Sequence, residues 1–223
     1  MKKQKLCILC STGSFCESTL DVISRNPELF EVLALTANRN TGKLAEQCAR
    51  LDARLAAIAD PALQDQLAND LRQVGSKAEV FSGEQGLVTA ATLGEIDSVM
   101  AAIVGAAGLQ PTFHAARHGK KILLANKESL VIAGEFFIAE ARRNNADVLP
   151  VDSEHNAIFQ SLPPGFESGL DEAGVDKIIL TASGGPFLDM PADKLCQVTP
   201  KQACAHPNWD MGRKISVDSA TLM

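Results

Sequence analysis

The sequence predicts an α/β fold in which helices connect the strands of a parallel β-sheet. Two observations carry this prediction: short apolar runs alternate with helix-length segments through the first 150 residues, and no internal repeat or low-complexity segment interrupts them. Continuous apolar runs of this length are typical of buried strands. Strand–helix alternation then requires right-handed crossover connections, which make the strands parallel to one another.

The first two strand–helix units lie at the start of the chain. Residues 6–9 form an unbroken apolar run, which predicts a buried strand, and residues 18–25 predict the helix that follows. Residues 30–35 predict the second strand and residues 41–51 the second helix. The basic residues 1–5 precede an apolar run too short for the core of a signal peptide, so we expect a cytoplasmic protein.

The same alternation continues through the middle of the chain. Residues 55–58 predict a third, weaker strand, and residues 61–74 predict a helix with Pro61 near its first turn. Residues 99–104 predict another buried strand. The helix predicted after it, residues 109–118, ends at a glycine, which suits a helix C-cap.

The last strand and helix of this series are the clearest. Residues 122–124 predict a short buried strand, and residues 128–144 form the longest predicted helix. Four apolar side chains of that helix fall close to one face: Leu130, Ala133, Phe137 and Ala141. This pattern predicts a helix that packs one side against the sheet.

The pattern changes after residue 151. Residues 163–165, Pro-Pro-Gly, break the chain, and residues 177–182 predict an isolated strand. We therefore predict two domains, residues 1–151 and residues 152–223.

Composition is that of an ordinary globular protein. The chain has 223 residues, 46% hydrophobic and 22% charged, with a mean hydropathy of +0.03. A formal net charge of −6 and a pI of about 5.2 argue against a surface for duplex nucleic acid. No uncharged apolar run approaches the ~20 residues of a membrane-spanning helix. We therefore expect neither a nucleic acid nor a membrane as a partner.

The six cysteines are expected to be free thiols. Cys7 and Cys10 form a C-x-x-C motif, but residues three apart on a strand point to opposite faces, and no second motif completes a zinc site. Buried or free thiols in a reducing compartment are the expected state.

The segment between the first strand and the first helix is a candidate phosphate-binding loop. A dinucleotide fold carries glycines there at the spacing G-x-x-G-x-x-G or G-x-G-x-x-G, but only Gly13 is present, with Cys10 and Cys16 at the outer positions of the first spacing. Ser11, Thr12 and Ser14 offer hydroxyl and amide donors to a phosphate. A Cys16 side chain at the helix-packing position risks overpacking of roughly 1–3 kcal/mol. An ordinary strand–helix turn remains the alternative.

The second strand ends in a segment that favours NADP(H) over NAD(H). NAD-binding folds place an acid about 20 residues after the glycine loop, where it holds the ribose hydroxyls. Residues 36–40, Thr-Ala-Asn-Arg-Asn, carry no acid and one arginine. The guanidinium of Arg39 suits a 2′-phosphate. A solvated loop arginine is the alternative.

Two carboxylates form a candidate metal site. Asp152 and Glu154 follow the apolar residues 148–150 at positions i and i+2. If the chain is still extended there, both side chains point to the same face. Hard oxygen ligands on one face suit Mg²⁺ or Mn²⁺. A pair of solvated surface acids is the alternative.

Several segments together resemble one enzyme family, 1-deoxy-D-xylulose 5-phosphate reductoisomerase, over the N-terminal part of that enzyme. They occur in the family's order along the whole chain: residues 11–14, 101–109, 124–129, 150–162, 184–187, 206–209 and 212–221. The resemblance implies an α/β fold with a Rossmann-like NADP-binding parallel sheet over residues 1–151. An incomplete α+β catalytic domain over residues 152–223 would follow it.

The resemblance also implies a set of cofactor-binding residues. Those matching the pyrophosphate loop are Thr12, Gly13, Ser14 and Phe15, with Phe15 in place of a usual isoleucine. Those matching the 2′-phosphate site are Asn38, Arg39 and Asn40, with Asn38 where glycine is common. Those matching positions beside the NADPH are Asn126, Glu128 and Gly212.

The metal and substrate residues are implied in the same way. Asp152 and Glu154 match the divalent-metal ligands. The residues matching substrate contacts are Lys127, Ser153, Glu154, Ser183, His206 and Ser219, of which Lys127 and Glu154 are the implied catalytic pair. Trp209 matches a loop that closes over the substrate.

The chemistry of these residues allows other interpretations. A lysine at a helix start, such as Lys127, is usually solvated and opposes the helix dipole. The amides of residues 183–185 can bind an anion or form a plain turn. His206 and Trp209 can equally be structural.

The activity implied by the family is the NADPH- and metal-dependent conversion of 1-deoxy-D-xylulose 5-phosphate to 2-C-methyl-D-erythritol 4-phosphate, a step of isoprenoid biosynthesis. The carbon skeleton rearranges and NADPH reduces the resulting aldehyde. The family resemblance further implies a homodimer at full length.

The chain ends at Met223, before the asparagine, lysine and glutamate with which the family completes its phosphate and metal sites. We therefore expect a truncated chain that is not competent alone. The alternatives are an NADP-binding fragment without catalysis and a poorly folded remnant. Another sugar-phosphate oxidoreductase is disfavoured by residues 152–156 and 206–221.

Overall fold

The computed structural model describes residues 2–166, 169–179, 184–208, 210, 213, 216 and 217, without the side chains of Ser14 and Phe15. The chain divides into two compact units, Met1–Ser161 and Leu162–Met223. The two compact units are defined by packing alone. The predicted boundary between a cofactor domain and a catalytic domain after residue 151 therefore remains a prediction.

Seven parallel strands form one sheet in the first unit, which confirms the predicted fold class. In chain order they are β1 Gln4–Leu9, β2 Phe30–Ala37, β3 Leu55–Ile58, β4 Glu79–Ser82, β5 Ser98–Ala101, β6 Lys121–Leu124 and β7 Val148–Pro150. Their order across the sheet is β4-β3-β2-β1-β5-β6-β7. The direction of winding therefore reverses beside β1, and in open sheets of this kind ligands bind at that reversal, beyond the carboxyl ends of the strands.

Eight α-helices have both of their ends within the described residues. They are α1 Ser14–Arg25, α2 Thr41–Leu51, α3 Gln64–Gln73, α4 Gly83–Thr92, α5 Leu109–Arg117, α6 Glu128–Arg143, α7 Ser153–Ser161 and α8 Pro200–Ala203. The bounds of α2 and β3 are those predicted. Pro61 begins a separate 3-10 turn, Pro61–Leu63, instead of the first turn of α3.

Two elements were missed, one strand was predicted too long, and one predicted strand does not form over its described residues. The edge strand β4 is largely exposed or half-buried, so it carries no buried apolar run, and α4 begins at a glycine and contains a second. The strand predicted over residues 99–104 ends at Ala101. Residues 175–179 have no regular structure, and residues 180–182 of the strand predicted there lie outside the described part.

The sheet is buried on both faces, which explains the continuous apolar runs of its strands. On one face, Cys7 and Leu9 of β1 join a core that includes Phe137 and Ala141 of α6. On the other face, Leu6 and Ile8 of β1 join a second core against α1, α2 and α3. Burial of each leucine or phenylalanine stabilises the fold by about 1.5–3 kcal/mol, so this packing fixes the positions at which the strands end.

The predicted apolar face of α6 is confirmed for Phe137 and Ala141, which are buried. Leu130 is partly buried against the same core. Ala133 has non-helical backbone angles and marks a kink within α6. Within the part of the chain that the structure describes, no helix is both long enough and apolar enough to cross a membrane.

Candidate cofactor and metal site

The turn after β1 requires a left-handed residue at the first glycine position of the loop. Cys10 adopts φ +68°, a conformation that favours glycine and costs roughly 1–2 kcal/mol for other residues. Its carbonyl oxygen accepts the amide of Gly13 over 3.0 Å, and the Gly13 carbonyl accepts the amides of Cys16 and Glu17 at the start of α1. The segment therefore has the compact strand–turn–helix geometry of a phosphate loop.

Cys16 occupies the helix-packing position of this loop without exposure to solvent. Its side chain is 1% exposed, and its Sγ donates to the Leu9 carbonyl oxygen over 3.5 Å. Burial, and to a smaller extent the charge of Cys10, raises the pKa of the Cys16 thiol to about 12. The thiol is thus a protonated packing group beneath the loop.

Ser11 is held by buried partners, and its hydroxyl is not directed to a ligand. The hydroxyl donates to Gln47 Oε1 over 2.6 Å, and Gln47 Nε2 donates to the Ser11 carbonyl oxygen over 3.0 Å. The Ser11 amide donates to the Thr36 carbonyl over 2.7 Å. The prediction that the Ser11 hydroxyl could serve a phosphate is therefore wrong, because Gln47 already uses it.

Gln47 was missed by the sequence reasoning. It is 5% exposed on the inner face of α2, between the buried residues Leu44, Ala45 and Cys48. A buried side-chain amide needs hydrogen-bond partners. A glutamine on the otherwise apolar face of α2 could therefore have indicated a buried contact with a neighbouring loop.

Lys43 is a second residue of α2 that reaches the loop. Its Nζ lies 3.5 Å from the Thr12 carbonyl oxygen and pairs closely with Glu17. The loop is therefore tied to α2 through both Gln47 and Lys43.

The segment after β2 brings the predicted 2′-phosphate residues together. Asn40 caps α2 by accepting the Lys43 amide on Oδ1 over 3.1 Å. The Asn38 carbonyl accepts the amide of Asp60 over 3.2 Å. The Arg39 side chain is 73% exposed, and its Nη2 lies 3.5 Å from Asp60 Oδ2. Arg39 is thus an exposed cation just after β2, the neighbour of β1 in the sheet.

Asn126 is 2% exposed, and its side chain is fully occupied by contacts within the protein. Nδ2 donates to the carbonyl oxygens of Ile103 and Gly105, the latter over 3.1 Å. Oδ1 accepts the amide and the hydroxyl of Ser129 over 2.8 and 3.0 Å. Asn126 therefore joins the segment after β5 to the start of α6.

The chain is not extended at the candidate metal site, so that part of the prediction is wrong. Ser153 begins α7, and the Asp152 carbonyl accepts the Asn156 amide over 2.8 Å, as at a helix start. Asp152 immediately precedes the helix, and Glu154 lies in its first turn. Carboxylates are favoured at this end of a helix by the dipole.

Asp152 nevertheless lies among charged partners. Lys127 Nζ is 3.9 Å from Asp152 Oδ2, and His155 Nδ1–H donates to Asp152 Oδ1 over 3.2 Å. Burial by itself raises the pKa of the Asp152 carboxyl. Hydrogen bonds with the side chains of Glu154 and His155, together with the charges of Lys127 and His155, outweigh burial and hold that pKa below its ordinary value.

Ser153 and Glu154 complete this group. The Ser153 hydroxyl donates to Glu154 Oε2 over 3.2 Å. Glu128 is the first residue of α6, next to Lys127 in the chain. Among the described residues, no group of three or more histidine, cysteine or acidic side chains is placed to hold one metal ion.

The remaining predicted residues belong to the second unit or lie outside the described part. Ser183, Trp209, Gly212 and Ser219 lie outside the described residues. His206 is half-buried in the second unit, and its Nδ1 accepts the Asn208 amide over 3.1 Å.

Two family models match the chain. The model described as 1-deoxy-D-xylulose 5-phosphate reductoisomerase matches residues 6–134. The model described as the C-terminal domain of the same enzyme matches residues 148–223.

Relatives with this description match the whole chain. The 1-deoxy-D-xylulose 5-phosphate reductoisomerase of Dechloromonas aromatica is 56% identical over 222 residues, which are 100% of this chain and 56% of the relative. That of Nitrosospira multiformis is 56% identical over 218 residues, 98% of this chain and 55% of the relative. The chain thus spans about half the length of the curated relatives it matches.

Solved structures agree with this result. The Zymomonas mobilis 1-deoxy-D-xylulose 5-phosphate reductoisomerase in complex with NADPH is 46% identical, with a TM-score of 0.88 over 99% of this chain and 55% of that one. A DOX-P reductoisomerase in complex with NADPH, fosmidomycin and magnesium is 42% identical, with a TM-score of 0.87 over 98% of this chain and 55% of that one.

Proposed function

The chain belongs to the 1-deoxy-D-xylulose 5-phosphate reductoisomerase family, and we propose that it binds NADPH and a divalent metal ion and serves that family's reaction. In this reaction 1-deoxy-D-xylulose 5-phosphate becomes 2-C-methyl-D-erythritol 4-phosphate, within isoprenoid biosynthesis. We further propose a cytoplasmic protein that forms a homodimer at full length.

One observation carries the proposal: four candidate segments follow the carboxyl ends of parallel strands at one edge of the sheet. They follow β1, β2, β6 and β7, and they contain Thr12, Arg39, Lys127 and Asp152, respectively. Ligands of open parallel sheets bind at this edge. A chain with a net charge of −6 thus presents Arg39 and Lys127 where an anionic cofactor and substrate would lie.

The phosphate groups of NADPH would be bound by the loops after β1 and β2. The residues proposed for the pyrophosphate are Thr12, Gly13, Ser14 and Phe15, and those for the 2′-phosphate are Asn38, Arg39 and Asn40. In the second group the exposed guanidinium of Arg39, which pairs with Asp60 at 3.5 Å, can donate to a phosphate in bidentate geometry. The Asn40 side chain caps α2, so its proposed role is to orient that helix start.

Three other residues are proposed to lie beside NADPH, namely Asn126, Glu128 and Gly212. Because the Asn126 side chain already makes four hydrogen bonds, its role is to hold the loops together and present its backbone. NADPH, when bound, supplies the hydride that reduces the aldehyde.

The donor chemistry of Asp152 and Glu154 fits a hard divalent cation. Carboxylate oxygens are the ligands that such an ion prefers, and the lowered pKa keeps the Asp152 carboxyl ionised at neutral pH. Mg²⁺ or Mn²⁺ would supply Lewis-acid polarisation of the substrate oxygens. Lys127 now lies 3.9 Å from the same carboxylate and would turn from it to a substrate oxygen. We propose Lys127 and Glu154 as the catalytic pair.

The residues proposed for the sugar phosphate, by resemblance to the family, are Lys127, Ser153, Glu154, Ser183, His206 and Ser219. Trp209 is proposed to exclude water from the substrate.

The test is a set of three measurements on the purified 223-residue chain. Calorimetric titration with NADPH tests the cofactor site, and Mn²⁺ titration followed by electron paramagnetic resonance tests the metal site. Asp152→Asn should weaken Mn²⁺ binding, whereas Asp147→Asn, which neutralises a surface acid paired with Lys121, should not. NADPH oxidation that depends on 1-deoxy-D-xylulose 5-phosphate tests turnover.

The outcomes separate the functions considered. NADPH binding without Mn²⁺ binding and without turnover supports the NADP-binding module. A chain that binds neither NADPH nor Mn²⁺ contradicts the proposal, and equal Mn²⁺ affinity of Asp152→Asn and the unaltered chain contradicts the metal site.

A further inference from the structure

Asp60 lies beside the segment proposed to bind the 2′-phosphate. It follows β3, the neighbour of β2 in the sheet, and its amide donates to the Asn38 carbonyl over 3.2 Å. The preceding amide, that of Ala59, donates to the Ala37 carbonyl over 2.9 Å. The pairing of β2 and β3 thus continues past both strands and places an acid next to the Asn38–Asn40 segment.

The Asp60 carboxylate is fixed in that position by a backbone contact. Oδ1 accepts the Ala62 amide over 3.1 Å and so caps the turn Pro61–Leu63. The other oxygen, Oδ2, lies 3.5 Å from Arg39 Nη2. The side chain of Asp60 is 27% exposed and that of Arg39 is 73% exposed. The acid is therefore the anchored partner, and the arginine is the one able to move towards a ligand.

The positive charge of Arg39 and the negative charge of Asp60 lie where NADPH, which carries a 2′-phosphate, would be distinguished from NADH, which does not. A phosphate dianion attracted by Arg39 would also be repelled by the anchored carboxylate, whereas a 2′-hydroxyl carries no charge to repel. An acid near the ribose can instead accept a hydrogen bond from a hydroxyl, as in folds that prefer NAD(H).

We propose that Asp60 is a specificity-determining residue, whose carboxylate partly neutralises Arg39 and limits the preference of this chain for NADPH over NADH. The inference rests on the proposed function, since it concerns the same cofactor site. It assigns opposite effects to two residues in contact: Arg39 favours the 2′-phosphate and Asp60 opposes it.

The decisive variant is Asp60→Asn, because an asparagine keeps the oxygen that caps the Ala62 amide and removes only the charge. The matched control is Asp65→Asn, which removes one negative charge from an exposed residue in the first turn of α3. Calorimetry gives the dissociation constants of both variants and the unaltered chain for NADPH and NADH. The pair 2′,5′-ADP and 5′-ADP isolates the contribution of the 2′-phosphate from that of the nicotinamide half.

We expect Asp60→Asn to tighten NADPH and 2′,5′-ADP roughly three- to tenfold, without tightening NADH or 5′-ADP. The control should leave the ratio of NADPH to NADH affinity unchanged. In an Arg39→Gln background, Asp60→Asn should still tighten NADPH, because repulsion of the phosphate does not need the arginine.

The outcomes are distinguishable. If the unaltered chain binds NADPH and Asp60→Asn leaves the NADPH to NADH ratio unchanged or lowers it, this inference is overturned while the proposed function stands. If the unaltered chain binds neither NADPH nor 2′,5′-ADP, the proposed function fails and the inference fails with it. Circular dichroism of each variant establishes that a lowered ratio does not arise from unfolding.

Discussion

The Ser11 hydroxyl donates to Gln47 Oε1 over 2.6 Å, and Gln47 Nε2 donates back to the Ser11 carbonyl oxygen over 3.0 Å. Both residues are buried, so one side chain of α2 fixes the backbone of the loop after β1. The Thr36 hydroxyl accepts the Cys10 amide over 2.8 Å. Thr36 and Gln47 lie on either side of the Asn38–Asn40 segment in the sequence. The same two residues therefore connect the loop after β1 to the elements that flank the proposed 2′-phosphate segment.

Replacement of Gln47 by leucine should destabilise the protein. Gln47→Leu leaves the buried hydroxyl and carbonyl of Ser11 without their partner, which costs about 1–3 kcal/mol in the free energy of unfolding. Urea denaturation followed by circular dichroism measures this loss. Glu46→Leu, an exposed change to the same residue type on α2, is the control and should change stability little.

A double-mutant cycle distinguishes the pair from general damage to the core. Ser11→Ala removes the hydroxyl, and Gln47→Leu in that background should cost less than it does alone because part of the interaction is already lost. Strictly additive losses would contradict a direct coupling between the two side chains.

Restoring glycine at residue 10 should stabilise the loop. Cys10 adopts φ +68°, and glycine takes this conformation without steric cost. After subtraction of the larger entropy that glycine loses on folding, we expect Cys10→Gly to raise the free energy of unfolding by about 0.5–1 kcal/mol. NADPH should bind more tightly as well. Cys10→Ser retains a β-carbon and should give no gain; an equal gain would show that the thiol, and not φ, causes the cost.

Restoring glycine at residue 16 should have the opposite effect. Cys16 is buried within α1, and a glycine inside a helix costs about 1 kcal/mol relative to alanine, in addition to the lost packing of the thiol. Cys16→Gly should therefore lower the urea midpoint, and Cys16→Ala should lower it less. The two outer positions of the loop therefore differ, because only residue 10 has a backbone conformation that favours glycine. Equal stabilisation by both glycines would contradict this division.

Local patterns of the sequence predicted the buried strands, because strands covered on both faces leave continuous apolar runs. They did not predict the edge strand β4, which lacks such a run, or the acceptors of the Asn126 amide, which are the carbonyls of residues 103 and 105 just after the neighbouring strand β5. The start of α7 was predictable in principle, since an aspartate before Ser153 is a common N-cap. The sequence interpretation treated Asp152 and Glu154 as metal ligands on an extended segment and did not consider a helix start there.

Gly108 is a position where any side chain should disturb the site. A β-carbon there would lie inside van der Waals distance of Asn126 Nδ2 and 2.7 Å from the Ile103 carbonyl oxygen. Gly108→Ala should therefore separate the amide of Asn126 from its acceptors and lower the free energy of unfolding by about 2–4 kcal/mol, in the range of overpacking plus lost hydrogen bonds. Thermal and urea denaturation measure the loss.

Gly42→Ala is the matched control, because a β-carbon at this position of α2 meets no atom within 4 Å. That change should leave stability unchanged or raise it by up to about 1 kcal/mol, since alanine favours the helix. A loss as large as that of Gly108→Ala would contradict the steric explanation.

Alkylation of the cysteines should follow their burial and should report on the proposed cofactor site. Burial raises the pKa of Cys7, Cys16 and Cys48, so these thiols carry little of the reactive thiolate at neutral pH and should be alkylated by iodoacetamide only on unfolding. The exposed Cys196 should react first. Peptide mass spectrometry over time gives the rate at each residue, and a rate at Cys7 equal to that at Cys196 would contradict the packing described.

Cys10 provides the functional part of the same experiment. It is half-buried in the loop after β1, and burial raises its pKa, so it should react slowly and faster as the pH rises. Because the loop is proposed to bind the pyrophosphate, saturating NADPH should protect Cys10 from alkylation while leaving Cys196 unprotected. NADH at the same concentration should protect less, since it lacks the 2′-phosphate that Arg39 is proposed to bind. Equal protection of Cys10 and Cys196 would mean that NADPH acts on the reagent and not at the loop. That result would contradict the proposed position of the cofactor.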